Sequence, residues 1–182
     1  MATNDVNLGL GKVSGMFFHA PTGSAIPVSP FDEMSAPWKE VGYVSEDGPS
    51  WTPYGSTEVI RDWSRTLRRR FATEKGSVSV PVISTTGESL KTIFGAANVS
   101  TTAASSTHGE LTTVNTETGP DSTKEAFVLL GQDGEDGLML ATESGMVTDI
   151  SEVGFAPNGA IVWSITIEGD WKFVKDNGQK TS

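Results

Sequence analysis

Few residues in this chain have the types and spacing that chemistry demands. His19 and His108 stand far apart, and neither lies in the His-Glu-x-x-His pattern that sets two imidazoles on one zinc ion. Gly9-Leu10-Gly11-Lys12 resembles the end of a phosphate-cradling loop. It fails as one, because Val6 replaces the first required glycine and Val13 the metal-binding hydroxyl. Asp133-Gly134-Glu135-Asp136-Gly137 has the carboxylates for calcium but not the alternating ligands and distal glutamate of an EF-hand, so it reads as a hairpin turn. Ser144, in Glu143-Ser144-Gly145, lacks the glycine two positions upstream that a nucleophile elbow needs. With no cysteine there is no disulfide and no thiolate metal site. The expectation is a non-enzyme without catalytic residues, metal or cofactor.

Charge is the more telling chemistry. The 182 residues carry a formal net charge of −10, which opposes binding to phosphate and favours solubility. Yet all five arginines fall in one short stretch: Arg61, Arg65, Arg68, Arg69 and Arg70. On a strand, Arg68 and Arg70 face one way while Arg69 joins Leu67 and Phe71 on the other. Three readings stand: ion pairs with a neighbouring acidic subunit, for which the guanidinium fork is suited; a solvated face; or a single-strand nucleic-acid stripe with Trp51, Trp63 and Phe71 as stacking platforms. The acidity of the chain weighs against the last.

The elements that must position these groups are mostly short strands. Lys12–Ala20 reads as a first strand. The segment from Pro21 to Pro37, with four of the nine prolines, reads as a loop. Trp38–Ser45 is a second strand, and Glu46–Thr57 a second long loop with Trp51 and Tyr54 near its tip. Val59, Trp63, Leu67 and Phe71 fit a helix face by their spacing of four and a strand face by their odd numbering; from Thr66 the strand is preferred. A turn at Glu74-Lys75-Gly76 then leads into a return strand, Ser77–Ile83, with Pro81 marking an edge or bulge. Glu88–Phe94 is the one helix, capped by Thr85 or Thr86 and stopped by Gly95. Ser100–Gly109 is a loop. Strands follow near Glu110–Thr116, Glu125–Leu130, Leu138–Thr142 and Gly145–Val153. A last hairpin spans Gly159–Glu168 after the turn Pro157-Asn158-Gly159, with Ile161, Trp163, Ile165 and Ile167 on one face, and Trp171–Val174 adds a final strand. The fold class expected is mainly β, an antiparallel β-sandwich or barrel-like domain over residues 12–174 with one short flanking α-helix. Residues 1–11 form an N-terminal arm and 175–182 a loose tail. No apolar run approaches a membrane span, and Met1-Ala2-Thr3-Asn4-Asp5 lacks the features of a signal peptide.

The block Gly11–Gly23, closed by Val41-Gly42-Tyr43-Val44-Ser45-Glu46-Asp47-Gly48, resembles the opening of siphophage major tail proteins, the tail tube proteins. The likeness continues through Glu58–Trp63, the Glu74-Lys75 turn and Leu90–Gly95, and through Val147–Glu168. It departs at Arg68–Arg70 and is poor over Ser100–Asp121. It implies a β-sandwich whose six copies close into a ring, with rings stacked into a hollow tube that delivers DNA without specific binding. It also implies a virion protein assembled in the host bacterial cytoplasm, with tape measure, tail terminator and baseplate or distal tail proteins as partners besides itself and no membrane. Within that frame Trp51 and Tyr54 are expected to anchor ring stacking, and Arg68, Arg69 and Arg70 to pair between subunits. Asp133, Glu135, Asp136 and Glu143 are expected to line an acidic lumen that repels the DNA backbone. Rival readings are a tube protein of a bacterial contractile injection or secretion system, a β-sandwich decoration or adhesion module of the virion, and the nucleic-acid binder.

Overall fold

Two alternating apolar runs build the centre of the molecule. In Gly76–Val82 the side chains of Val78, Val80 and Val82 are fully buried, while Ser77, Ser79 and Pro81 between them are only partly so. In Trp163–Gly169 the same holds for Trp163, Ile165 and Ile167. The two strands pair antiparallel with Val80 opposite Ile165 and Val78 opposite Ile167, so each run meets the other with its apolar face.

The computed structural model describes residues 16–133, 135–155, 159 and 161–178. In chain order its elements are β1 (Met16–Pro21), β2 (Lys39–Tyr43), β3 (Ser50–Thr52), β4 (Thr57–Arg61), β5 (Leu67–Ala72), β6 (Gly76–Val82), α1 (Gly87–Phe94), β7 (Val99–Thr102), β8 (Leu111–Val114), β9 (Glu125–Asp133), β10 (Asp136–Ile150), β11 (Trp163–Gly169) and β12 (Lys172–Asp176). The main sheet runs β2-β1-β9-β10-β11-β6-β3 and is antiparallel throughout. It also returns on itself. Val44, just past β2, bridges Val82 at the end of β6, with Ser45 N donating to Pro81 O at 2.8 Å and Ile83 N to Tyr43 O at 3.0 Å. The wall is thus a closed, barrel-like sheet, and the described residues are mainly β with one α-helix, as expected.

Its interior holds Phe17, Val41, Phe127, Leu129 and the β6 and β11 residues, with Leu90 and Ile93 of α1 closing one side. Phe17 and Phe127 stack at 5.7 Å. A second core lies outside the wall. Val128 and Leu130 of β9, with Met139 and Ala141 of β10, are covered by Phe18 of β1, by Ile26 and Met34 of the Pro-rich segment with Trp38 just after it, and by Val174 of β12. Being covered on both faces, β9 reads as a continuous apolar run rather than an alternation.

Helix α1 starts where Thr86 accepts from Ser89 N at 3.1 Å and Ser89 Oγ accepts from Thr86 N at 2.7 Å, a reciprocal capping box. It stops at Gly95, whose φ of 88° and close contact with Asp121 leave no room for a side chain.

Several expectations need correction. The hairpin is β4–β5, not β5–β6: β5 carries Arg68, Arg69 and Arg70 in succession, so it has no apolar face to offer the barrel, and β6 pairs with β11 and β3 instead. The expected loop Glu46–Thr57 contains β3, and Ser100–Thr102 belong to β7, paired with β8. Leu138–Thr142 and the expected strand from Gly145 are not two strands but one 15-residue strand, β10, which ends at Ile150, short of Val153. The register shifts between Thr142 and Gly145, and Gly145 allows a mid-strand close approach, where a Cβ would stand 2.9 Å from Ile167 Cγ2 and 3.0 Å from Phe127 Cδ2. Ile161 precedes β11, and β12 runs on to Asp176, past the Val174 boundary, because β10 offers it partners as far as Gly137. Pro81 sits beyond the reach of β3, which pairs only with Ser77–Ser79, so the ladder donor it lacks is not needed there. The expected strand residues 12–15, the arm 1–11, Pro157 and Asn158 of the expected turn, and the last residues of the tail lie outside the described residues.

The core and the surface predict opposite mutational outcomes. In urea unfolding, Phe127→Ala, which empties a fully buried aromatic site, is expected to lose about 3–5 kcal/mol. Trp63→Ala, at a fully exposed position, is expected to stay within about 0.5 kcal/mol of the parent.

Candidate functional site: an assembly surface

The barrel expels one segment. The chain leaves after β3 at Pro53 and returns at Gly76, and the two crossing points touch: a Cβ on Gly76 would lie 2.4 Å from Pro53 O and 2.6 Å from Thr52 O. Thr73 N donates to Ser56 O at 2.9 Å and Ser56 Oγ to Glu74 at 2.6 Å, drawing the two legs together. Lys75 pairs with Asp170 to fix the root to the body. Beyond this root β4 and β5 pair only with each other.

The turn is built by Asp62. Its backbone N donates to Thr66 O, and its side chain accepts from Thr66 N at 2.9 Å and from Arg68 Nε at 2.8 Å. Arg65 takes a left-handed φ of 62° at this turn. The Thr66 N–H and the Arg68 guanidinium hold the Asp62 carboxyl below its ordinary value, against a small opposing push from burial.

Every residue of β4 and β5 except Phe71 is exposed. Register places Ile60 opposite Arg69 and Val59 opposite Arg70, so both faces of the hairpin mix apolar and cationic groups. Trp63 at the tip is fully exposed, and Val59, Ile60 and Leu67 are each about half exposed. So much large apolar surface on one projecting hairpin makes it the candidate site of the molecule. Of the three predicted arginines, Arg68 is tied to Asp62 within the hairpin. Arg69 lies over the Phe71 ring at 5.6 Å, and Arg70 reaches Thr57 at a long 3.4 Å. Among the described residues neither Arg69 nor Arg70 has an ion pair, so their charge is available to a partner.

The other predicted residues distribute as follows. Trp51 lies in β3 and stacks on Phe173 of β12 at 6.2 Å. Tyr54 is exposed at the hairpin root, in a depression it shares with Ala72, Glu74 and Trp171. Both therefore flank the base of the projection that carries the arginines. Phe173 escaped sequence reasoning, since only the β12–β10 pairing puts it beside Trp51. Asp133 pairs with Asp136 across the β9–β10 turn, with Glu135 exposed between them. Asp136 is not a free charge: Lys175 meets it at 2.6 Å. Glu143 lies seven positions along β10 from Asp136, about 23 Å at strand rise, so the four acidic residues do not form one patch. Among the described residues no three histidine or carboxylate side chains converge as metal ligands, and no helix is long and apolar enough to cross a membrane.

The Asp62 turn yields a pH signature. Because its carboxyl is depressed in the folded chain, its contribution is fully present above the unfolded value of 3.8 and is lost only as pH falls through the lower folded value. The Thr66 amide resonance is expected to hold steady down to that range and to shift below it. In Asp62→Asn the low-pH shift should vanish; its persistence would assign the transition to another group.

The described residues thus present a projecting hairpin, apolar and cationic, on a closed barrel. Compared with protein-family models, the chain matches the model for phage tail tube protein over residues 1–169. A comparison with curated proteins finds no match. The family match takes in the barrel through Gly169 and the whole of the β4–β5 hairpin, and proteins of this kind are structural components of the virion tail rather than enzymes. The chain belongs to the phage tail tube protein family.

Proposed function

We propose that six copies of this chain close into a ring, that rings stack into the tail tube of a siphophage, and that the genome passes through the tube on delivery. The observation that carries the reading, beside family membership, is the β4–β5 hairpin. It exposes Val59, Ile60, Trp63 and Leu67 together with Arg69 and Arg70, which have no ion pair among the described residues, a surface that a solitary acidic protein has no use for. A head-to-tail contact gives a ring when it closes and a filament when it continues. The body of the protein carries the complementary acidity, so another copy of the chain is a fitting partner for the arginines. Trp51 and Tyr54, at the hairpin root, are proposed as stacking anchors. The outer edges of β3 and β12 support lateral pairing between copies, since an open edge is a template for another chain.

The channel of such a tube must let DNA slide. Acidic groups repel the phosphate backbone, and Asp133, Glu135, Asp136 and Glu143 are proposed as lumen groups. Their spread, from the β9–β10 turn to Glu143 along β10, suits a strand that follows the channel, with the turn residues at one height and Glu143 at another. Glu135 and Glu143 then contribute most, as Asp136 shares its charge with Lys175. A tape measure inside, a terminator at one end and distal tail or baseplate proteins at the other complete the proposed assembly, formed in the host cytoplasm.

Negative-stain microscopy of the purified protein over a range of concentration tests the reading. Rings and tubes are expected. Arg69→Glu combined with Arg70→Glu is expected to raise the concentration needed for tubes at least about tenfold, with the circular dichroism spectrum unchanged. A parent protein that stays single at high concentration even with its assembly partners contradicts the tube. Tubes indifferent to the double substitution contradict the role given to the arginines.

A further inference from the structure

A groove beside helix α1 has the inverse chemistry of the hairpin tip. It lies between the end of α1, the loop after β8 and the end of β10, and its volume is about 340 Å³. Its apolar lining is Ile93, Phe94, Pro120, Val147 and Ile150. Two carboxylates, Asp121 and Asp149, share that lining, and no lysine or arginine does. Asp149 is exposed and has no hydrogen bond or ion pair among the described residues. Asp121 accepts from Thr123 N at 2.9 Å and from Thr123 Oγ1 at 2.6 Å, both through one oxygen. Lys91 lines a separate depression of about 70 Å³ with Asp121, so the Asp149 end of the groove is the more anionic.

At the tip of the β4–β5 hairpin the pattern is reversed. Trp63 is fully exposed, with Arg61 two positions before it and Arg65 two positions after. Neither arginine has an ion pair among the described residues, and Arg61 donates to the Arg65 carbonyl at a long 3.3 Å. No residue of the hairpin lines the groove of its own chain. One aromatic ring between two guanidinium groups therefore matches, in kind and in number, an apolar floor with two carboxylates. Tryptophan and arginine are the residues that most often carry interface energy, and the guanidinium fork fits a carboxylate. A groove at the small end of the usual range of about 300–1,000 Å³ takes one large side chain rather than a folded element. The other depressions suit the tip less well. The one at the hairpin root holds Lys75 and Lys172, and the cleft of about 470 Å³ between Pro49 and Phe173 holds a single carboxylate, Glu46.

We propose that the groove receives the hairpin tip of a second copy of this chain, with Trp63 on its apolar floor and Arg61 and Arg65 paired with Asp121 and Asp149. Tip and groove are different surfaces, so the contact is head-to-tail and can repeat from copy to copy. The inference rests on the reading of the hairpin as an arm completed by another copy, and adds where that arm lands.

The chain has no cysteine, so introduced cysteines report the contact. Full-length Ser64→Cys, beside Trp63, is mixed with Thr148→Cys, in the groove, under assembly conditions with a short bismaleimide. A covalent dimer is expected. Ser64→Cys mixed with Pro49→Cys, in the larger cleft, is expected to give none. Asp149→Lys and Arg65→Glu are each expected to raise the concentration needed for assembly about tenfold, with the circular dichroism spectrum unchanged. Both changes in one chain are expected to restore it. Assembly without the groove cross-link, or with dimers through Pro49→Cys instead, overturns the docking and leaves the tube standing. Charge reversals that do not rescue each other overturn the pairing. A parent protein that stays single even with its assembly partners overturns both the docking and the tube.

Discussion

A sheet of short strands is stable in water only if its apolar face and its edges are both dealt with. Here one contact encloses the apolar face and removes the edges of β2 and β6, leaving only the outer edges of β3 and β12 in this sheet. The bridge between Val44 and Val82, flanked by the Ser45–Pro81 and Tyr43–Ile83 hydrogen bonds, joins the residue just past β2 to the end of β6 and closes the wall. Gly42 makes the approach possible: its φ is 140°, and a Cβ there would lie 2.0 Å from Ser84 Oγ. With the wall closed, Phe17, Val41, Phe127 and the alternating residues of β6 and β11 share one interior. Helix α1 needs only to plug its side. The Pro-rich segment can then be spent on the outer face, over Val128, Leu130, Met139 and Ala141.

Closure also decides what is left outside. A segment with charges on consecutive positions cannot present an apolar face to the interior, and Leu67–Ala72 holds three arginines in a row. It folds back on Thr57–Arg61 instead, through a turn that Asp62 secures, and projects from a root where Gly76 lies against Pro53. The result separates two tasks. The barrel carries stability, and the hairpin carries cationic and apolar surface with little intramolecular use. In a tail tube protein that division has an evident sense, since rigid bodies joined by projecting elements build a regular array.

The sequence made the barrel's strongest strands legible because their information is local. Ile165 and Ile167 alternate with polar neighbours, as do Val78 and Val80, and the Thr86 cap with Gly95 brackets the helix. Non-local features were hidden. Nothing near Val44 announces that it meets Val82, and the Val59, Trp63, Leu67, Phe71 spacing fits helix and strand alike, so the β4–β5 pairing could not be chosen from pattern. Polarity misled at Ser100–Thr102, where threonines that look like loop form a ladder with Thr112 and Thr113. At the candidate site the arginines were visible by residue type. Their neighbours were not: the Asp62 partner of Arg68, the Phe173 under Trp51 and the Lys175 on Asp136 all depend on the fold.

The central claim is that the β4–β5 hairpin is an arm completed by another copy of the chain. Amide hydrogen exchange, followed segment by segment before and after assembly, addresses it most directly. The account predicts rapid exchange over residues 57–72 in the dissociated protein and strong protection after assembly, with Val78–Val82 protected in both states. Exchange over 57–72 that is the same before and after assembly would contradict it.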